Sequence, residues 1–229
     1  MPVAPLISPK IFEIAPGFRA ISITVLASEI IDSDVATQAL LDSYKCVHED
    51  NPTWAEAHLA AWGEVFKTFG AKPKRTPCSA EALRNRVLKD GGITSADPIV
   101  DLYNAISIKY AIPVGGENYE AYVGIPHLTI AEGTEAFDTV KSGQPANEPP
   151  EKGEVIWRDE AGVTCRRWNW RQGVRTRLDE HAKKMWFILE SLPEMPREAL
   201  QAASDDLISG LKKMMPEAQI VFTYVADKE

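Results

Sequence analysis

The stretch "DPIVDLYNAISIKYAIPVGGENY", residues 97–119, decides the fold, because it joins a helix to a short run that contains two adjacent glycines. Proline suits the first helical turn, so the helix begins at Pro98. Its apolar residues recur with the 3.6-residue period of a core-facing helix, at Ile99, Leu102, Tyr103, Ile106 and Tyr110. Pro113 and then Gly115 and Gly116 follow, and glycine lets another group approach the backbone closely. We therefore expect a core helix, a turn signal at Pro113 and a backbone segment that is open to close contact.

Asn104 lies beside the apolar stripe of this helix. A side-chain amide in such a place is either a structural hydrogen-bonding group whose partners are all within the protein, or a contact to a ligand. The sequence leaves both interpretations open.

Periodicity and composition predict the remaining elements. Short β-branched or bulky apolar runs predict strands at residues 20–27, 185–191 and 219–225. Helical spacing predicts helices at about residues 32–47, 53–69, 80–90 and 197–215. The proline-rich segment 142–153 is expected to be an exposed, mobile loop. Strands mixed with helices, without regular βαβ alternation, indicate an α+β fold of mixed sheets with helices packed around them.

The stretch "GEVIWRDEAGVTCRRWNW", residues 153–170, predicts a hairpin with its turn at residues 159–162. Extending the strand alternation through its end places Trp168 and Trp170 on one face, and Arg167, Asn169 and Arg171 on the other. The tryptophans then either fill a core or stack on a ligand ring. The opposite face is suited to a carboxylate, a phosphate or acidic side chains.

The charge of the chain is unevenly distributed. The net charge is −8, which by itself argues against a nucleic-acid partner, but residues 72–89 hold six basic residues and one acidic residue. Residues 166–184 hold seven basic and two acidic residues. The two segments either form one anion-binding face or are separate solvated surfaces. The first interpretation makes a row of cations candidates for nucleic-acid contact: Lys74, Arg75, Arg84 and Arg86.

Several classes of site are disfavoured. The familiar nucleotide, dinucleotide, serine-hydrolase and zinc-protease motifs do not occur in the sequence. The three cysteines lack metal-binding spacing and are expected to be free thiols, and the four scattered histidines suit surface or packing roles better than catalysis. We expect no metal and no cofactor. Without a secretory signal or an apolar run of about 20 residues, a cytosolic location is expected.

Glu190 ends the apolar run "MWFILES", residues 185–191. A carboxylate in that position either pairs with an arginine or holds an ammonium group or a water molecule in a pocket. Both interpretations stay open at this point.

Taken together, residues 97–119, the run from 153 to "RRWNWRQG", and "FILES" at 187–191 resemble the B3/B4 domain of the phenylalanyl-tRNA synthetase β subunit, in its free-standing form. The resemblance covers roughly residues 74–192. It implies a single domain over residues 1–229, with residues 1–70 as an N-terminal strand-helix part and 74–192 as the core. In the synthetase this domain is an editing site that hydrolyses tRNA charged with the wrong amino acid.

The resemblance also implies roles for individual residues. Asn104 and Pro113 match the pocket frame, and Glu190 falls where the synthetase has the glutamate that contacts the misactivated amino acid. Tyr103 replaces a threonine and Gly115 replaces a histidine, so the tyrosine specificity of the synthetase is not carried over.

The expected site has three parts. The catalytic group is Glu190, Asn104, Gly115 and Gly116, with the two glycine amides as oxyanion donors. The substrate-binding group is Tyr103, Pro113, Arg167, Trp168, Asn169, Trp170 and Arg171. The cations of the first basic segment then contact the acceptor end of the tRNA.

The function predicted from the resemblance is trans-acting editing: hydrolysis of mischarged aminoacyl-tRNA, without DNA or a membrane as partner and with the oligomeric state left open. A non-catalytic module that binds tRNA or an amino acid is the alternative, because the family histidine is absent. A small-molecule hydrolase or binding protein that reuses the fold is the third possibility.

Overall fold

The computed structural model describes residues 1–94, 97–179 and 181–226. The strands are β1 (Leu6–Ile7), β2 (Arg19–Leu26), β3 (Val114–Asn118), β4 (His127–Ile130), β5 (Asp138–Lys141), β6 (Gln144–Asn147), β7 (Val155–Arg158), β8 (Val163–Arg166), β9 (Arg171–Gln172), β10 (Lys184–Ser191) and β11 (Gln219–Val225). The helices are α1 (Pro9–Ile14), α2 (Asp34–Glu49), α3 (Ala55–Thr68), α4 (Ser79–Asp90), α5 (Pro98–Tyr110) and α6 (Arg197–Met214). This is the α+β architecture that the sequence predicts.

Most of the predicted elements agree with the structure. Strands β2, β10 and β11 and helices α2 to α6 lie within a few residues of their predicted positions. Asp97 caps α5 by accepting hydrogen bonds from the backbone amides of Ile99 and Val100. The expected loop at residues 142–153 is only partly a loop, because β6 lies inside it and pairs antiparallel with β5. Proline at position 145 is tolerated there since the two strands form a sheet of their own with free edges.

Two larger sheets build the molecule. One has the strand order β11-β2-β10-β3, and the other has the order β1-β4-β7-β8-β9. Strand β10 is central in the first sheet, and successive side chains of a strand point to opposite faces. Its odd-numbered side chains, among them Phe187 and Leu189, pack in a core with helices α5 and α6. Its even-numbered side chains Trp186 and Ile188 pack in a second core with residues of the other sheet.

The N-terminal part supports this second core. Trp62 of α3 and Phe18 each make an edge-to-face contact with Trp168, with ring centroids 5.1 Å apart. His58 links α3 to two other segments through its ring nitrogens: Nδ1 lies 2.8 Å from the carbonyl oxygen of Ala111, and Nε2 accepts from the amide of Leu192 at 3.1 Å. Burial lowers the pKa of His58 to about 4, so the ring is neutral and structural.

Among the residues that the structure describes, no helix combines the length and the apolar composition of a membrane span. The space between the two sheets, next to α4 and α5, contains the cavity described below.

Candidate functional site

A cavity of about 230 Å³ opens between the two sheets. Its walls come from α4, α5, both sheets and the turn between β8 and β9. The lining residues are Ser79, Ala82, Leu83, Arg86, Tyr103, Asn104, Val114, Gly115, Gly116, Glu117, Trp157, Cys165, Trp168, Asn169, Trp170, Gln172, Trp186, Ile188 and Glu190. The volume is below the 300–1,000 Å³ that is common for pockets of drug-sized ligands, so the cavity suits a smaller molecule.

Glu190 is buried in the cavity wall, with 1% of its surface exposed. Its Oε1 accepts hydrogen bonds from the indole Nε1 atoms of Trp168 at 2.8 Å and Trp157 at 3.1 Å, and its Oε2 accepts from Nδ2 of Asn169 at 3.2 Å. Burial raises the pKa of Glu190 to about 7, against the lowering effect of these hydrogen bonds. The ion pairs found among the described residues do not include Glu190, so the arginine-partner interpretation is not supported.

Glu117 is a second buried carboxylate in the same cavity. Its Oε1 accepts from Nε2 of Gln172 and from Oγ1 of Thr176, each at 3.1 Å. Burial raises its pKa to about 7, although these hydrogen bonds and the charge of Arg175 lower it. Arg175 is itself bound through both terminal nitrogens to Asp159, each at 2.8 Å. Among the described residues, neither of the two carboxylates of the cavity forms an ion pair.

The turn after β8 corrects the predicted strand alternation. Strand β8 ends at Arg166, and Arg167 and Trp168 both have left-handed backbone angles, with φ of 47° and 63°. The turn directs Trp168 and Asn169 together toward Glu190, instead of to opposite faces. Trp168 therefore fills the core and also lines the cavity, whereas its stacking on a ligand ring stays a prediction.

The arginines of this turn do not form the expected ligand-binding face. Arg167 and Arg171 lie over the ring of Trp170, at 4.6 and 5.9 Å, and neither lines the cavity. Arg171 also donates to Oγ1 of Thr139 at 2.8 Å and lies 3.6 Å from a carboxylate oxygen of Glu148. Trp170, which lies beneath both arginines, does line the cavity. Both arginines, which the sequence analysis assigned to substrate binding, therefore contact groups of the protein itself.

The first basic segment is similarly divided. Arg84 is buried and donates to the carbonyl oxygen of Ile108 and to Oδ1 of Asn51, so its predicted contact with tRNA is wrong. Lys74, Arg75 and Arg86 are exposed. Arg86 is the one cation among the described lining residues. The two basic segments do meet at the cavity, where the amide of Ser79 donates to the carbonyl oxygen of Asn169 at 3.1 Å.

The resemblance-based pocket frame is only partly at the cavity. Tyr103 and Asn104 of α5 line it, whereas Pro113 does not. Pro113 is buried, and its carbonyl oxygen accepts from the amide of Glu190 at 3.0 Å. This hydrogen bond fixes the end of β10, and a contact between Pro113 and a substrate stays a prediction.

The two glycines of β3 face different neighbours. The hydrogen bond from Glu190 to Pro113 fixes the antiparallel pattern, so the amide of Gly115 points at β10 and that of Gly116 points away. In agreement, the carbonyl oxygen of Gly116 accepts from Nε2 of Gln172 at 3.0 Å. Of the two amides predicted as oxyanion donors, only that of Gly116 stays available in this geometry.

The two glycines also differ in the space beside them, which gives a stability prediction. A Cβ atom at Gly116 would lie 2.7 Å from Cε1 of Tyr103 and 2.9 Å from Cε1 of Phe187, whereas at Gly115 it would meet Cγ2 of Ile188 at 3.3 Å. We expect Gly116→Ala to lower the free energy of unfolding by about 1–3 kcal/mol, because two ring side chains must move. Gly115→Ala should cost clearly less, as measured by urea denaturation. Equal losses in the two variants would contradict this packing argument.

Among the described residues, one cysteine and no histidine line the cavity. All three cysteines are free, as predicted. Cys165 lines the cavity, but burial raises its pKa well above the ordinary value, so it stays a protonated thiol. The described lining residues include no histidine. Within the described part of the chain, no group of three or more His, Cys, Asp or Glu residues is arranged to hold a metal ion.

The buried carboxylates predict a pH-dependent stability difference. A carboxyl group whose pKa is about 7 when folded and near 4.5 when unfolded holds its proton more tightly in the folded protein, so its contribution to stability falls as pH rises from about 4.5 to 7. We expect Glu117→Gln and Glu190→Gln to gain stability relative to the wild type across this window. Thermal unfolding of each variant and of the wild type is measured at pH 4.5 and at pH 8. Between these two pH values, the stability of each variant relative to the wild type should rise by on the order of 1–3 kcal/mol, or about 2–12 °C in Tm. If the stability difference between variant and wild type is the same at both pH values, the two carboxyl groups have ordinary pKa values in the folded protein.

Sequence analysis missed Glu117, Gln172 and two tryptophans of the cavity wall, Trp157 and Trp186. Glu117 had a visible signal, because it directly follows Gly115 and Gly116 in a run predicted to be open to close contact. The two tryptophans lie in predicted strands and carried no signal beyond an apolar one.

Comparison with known proteins identifies the family through a sequence model. The sequence model of the B3/4 domain matches residues 61–212. One similar solved structure is an N-terminal fragment of the phenylalanyl-tRNA synthetase β-subunit from Pyrococcus horikoshii, with 11% sequence identity and a TM-score of 0.49 over 98% of this chain. The chain spans 55% of that fragment. No curated protein matches. Since the family match covers more than half of the sequence, the chain belongs to the B3/4 domain family.

Proposed function

We propose that this protein is a trans-acting editing factor that hydrolyses mischarged aminoacyl-tRNA. The observation that carries the proposal is Glu190, a carboxylate buried in a small cavity and held by three uncharged N–H donors. Such a group lacks a counter-ion and is suited to the α-ammonium group of an aminoacyl ester. Membership in the B3/4 family supports an aminoacyl-tRNA as the source of that ester.

The proposed step is ester hydrolysis. A water oxygen attacks the ester carbonyl carbon, the bond from that carbon to the ribose oxygen breaks, and the ribose oxygen takes up a proton. The products are the free amino acid and the free tRNA end. An aminoacyl ester is already activated, so the protein needs mainly to position the water and to stabilise the developing oxyanion.

The chain offers hydrogen-bonding groups for these tasks. The amide of Gly116 points away from β10, and Asn104 lines the same cavity. We assign these groups to the ester carbonyl and the attacking water. Arg86 at the cavity wall, together with the exposed Lys74 and Arg75, is assigned to the phosphates of the acceptor end.

The test is deacylation of a panel of radiolabelled aminoacyl-tRNAs, correctly charged and mischarged, by the purified protein. We expect hydrolysis of a subset of the panel. Arg86→Ala should weaken turnover of every substrate in that subset by a similar factor, because a phosphate contact is common to all tRNAs. No turnover of any substrate by the folded protein would overturn the hydrolase proposal.

One observation favours a second candidate function, a non-catalytic module that binds an aminoacyl ester or tRNA. The described cavity wall includes no histidine, and its one cysteine is a protonated thiol. Retention of labelled aminoacyl-tRNA on the protein without release of the amino acid would support this candidate over hydrolysis.

A further inference from the structure

We propose that the ligand of this cavity is a dication, an amino-acid ester whose side chain carries a second positive charge, as in lysine, arginine and their analogues. Glu190 and Asn169 would bind the α-ammonium group, and Glu117 would bind the side-chain cation. This inference deepens the proposed editing function and rests on it for the ester.

The first argument is charge. Two carboxylates, 1% and 5% exposed, line one cavity, and all of their side-chain hydrogen-bond donors are uncharged. The cation whose charge reaches Glu117, Arg175, is already bound to Asp159. A ligand with one positive charge would leave one carboxylate without a partner, and a buried unpaired charge is costly.

The second argument is an unpaired acceptor. Asn169 is 8% exposed and lines the cavity. Its Nδ2 donates to Glu190, and its buried Oδ1 has no hydrogen-bond partner in the part of the chain that the structure describes. A buried polar atom normally has a partner. An N–H group of a bound ammonium would reach Oδ1 of Asn169 and a carboxylate oxygen of Glu190 together, which satisfies both.

The third argument is spacing. Glu117 lies opposite Trp186, and Glu190 pairs through its amide with Pro113, so both glutamates project from the cavity-facing side of the same two strands. Four residue steps separate them along β3, or about 13 Å of strand at about 3.3 Å per residue. Gly115 lies midway between them on β3 and adds no side chain of its own, so the floor at this point is formed by Ile188 of β10. This arrangement suits two cationic groups at opposite ends of a long, thin side chain.

The test compares two probes of similar shape, L-lysine methyl ester and L-norleucine methyl ester, which differ in the side-chain ammonium. Isothermal titration calorimetry at pH 7.5 measures binding without any need for catalysis. We expect the lysine ester to bind roughly 10- to 100-fold more tightly, the range for a hydrogen bond to a charged group. In Glu117→Gln this ratio should fall to within about threefold, while the norleucine ester binds as it does to the wild type.

The outcomes separate this inference from the proposed function. Equal or tighter binding of norleucine ester, no binding of either ester, or a ratio that survives Glu117→Gln would each overturn the dication assignment. Deacylation of tRNA charged only with neutral amino acids would also overturn it and would leave the editing function standing. Selective binding of lysine ester without deacylation of any aminoacyl-tRNA would support the dication assignment and would overturn the proposed hydrolase activity.

Discussion

Replacing Glu190 by glutamine is expected to reduce aminoacyl-tRNA deacylation by roughly 30- to 3,000-fold, which corresponds to the loss of about 2–5 kcal/mol for one partner of a buried charge pair. The carboxylate is the proposed anchor of the α-ammonium group, and it lies at the centre of the tryptophan-lined wall. The measurement is the rate of release of labelled amino acid under single-turnover conditions, so that product release does not obscure the chemical step.

The glutamine variant is the right change because it preserves shape. Its amide oxygen can still accept from the indole groups of Trp157 and Trp168, and Asn169 can turn its free Oδ1 toward the new amide N–H group. We therefore expect a folded protein that unfolds cooperatively on heating. Glu194→Gln is the matched control, since Glu194 is exposed and does not line the cavity. Equal activity of the two variants would remove Glu190 from the site.

The pH dependence of this activity follows from the same group. Glu190 with a pKa of about 7 is increasingly ionised as pH rises through 7, and an α-amino group loses its charge near pH 8. The ammonium and the carboxylate must both be charged for binding. Deacylation should therefore be fastest between about pH 7 and pH 8. Glu190→Gln should lose the rising limb of the profile.

The fold was largely predictable from sequence because its elements are regular. The helical stripe of α5 and the β-branched runs of β2 and β11 are local patterns, and each formed where its period indicated. Arg84 is an instructive error in the prediction of the site. It lies on the buried face of α4 with Ala80 and Val87, at helical spacing, so its burial was readable from the sequence. Charge counting alone assigned it to the surface.

The turn at Arg167 was not predictable by the same means. Two consecutive residues other than glycine have left-handed backbone angles there, which local propensity disfavours. Val155 holds the turn by accepting from the backbone amide of Trp168 at 2.7 Å, and Glu154 holds it by accepting from the backbone amide of Arg167 at 2.9 Å. That hydrogen bond joins residues thirteen positions apart. Because it depends on the hairpin having formed, the strand alternation was extended past its real end.

Replacing Glu154 by alanine is therefore expected to cost about 3–5 kcal/mol of stability, the range for removing one member of a buried ion pair. Glu154 is 3% exposed, and its two oxygens accept from Nε and Nη2 of Arg166 at 3.0 and 2.8 Å. The alanine variant leaves the guanidinium of Arg166 buried without this partner and removes one tether of the turn that positions Trp168 and Asn169. Urea denaturation measures the loss, and binding of the amino-acid esters should weaken in parallel.

A double variant separates the two consequences of this change. In Glu154→Leu with Arg166→Met, no buried charge is left unpaired, so the stability loss should be clearly smaller than in Glu154→Ala. The hydrogen bond from the amide of Arg167 is still missing, so the turn that carries Trp168 and Asn169 loses one of its tethers and keeps the backbone hydrogen bond from Trp168 to Val155. We expect a folded protein with impaired ligand binding. If the double variant binds as the wild type does, the left-handed turn is held by its packing, and Glu154 contributes only charge balance for Arg166.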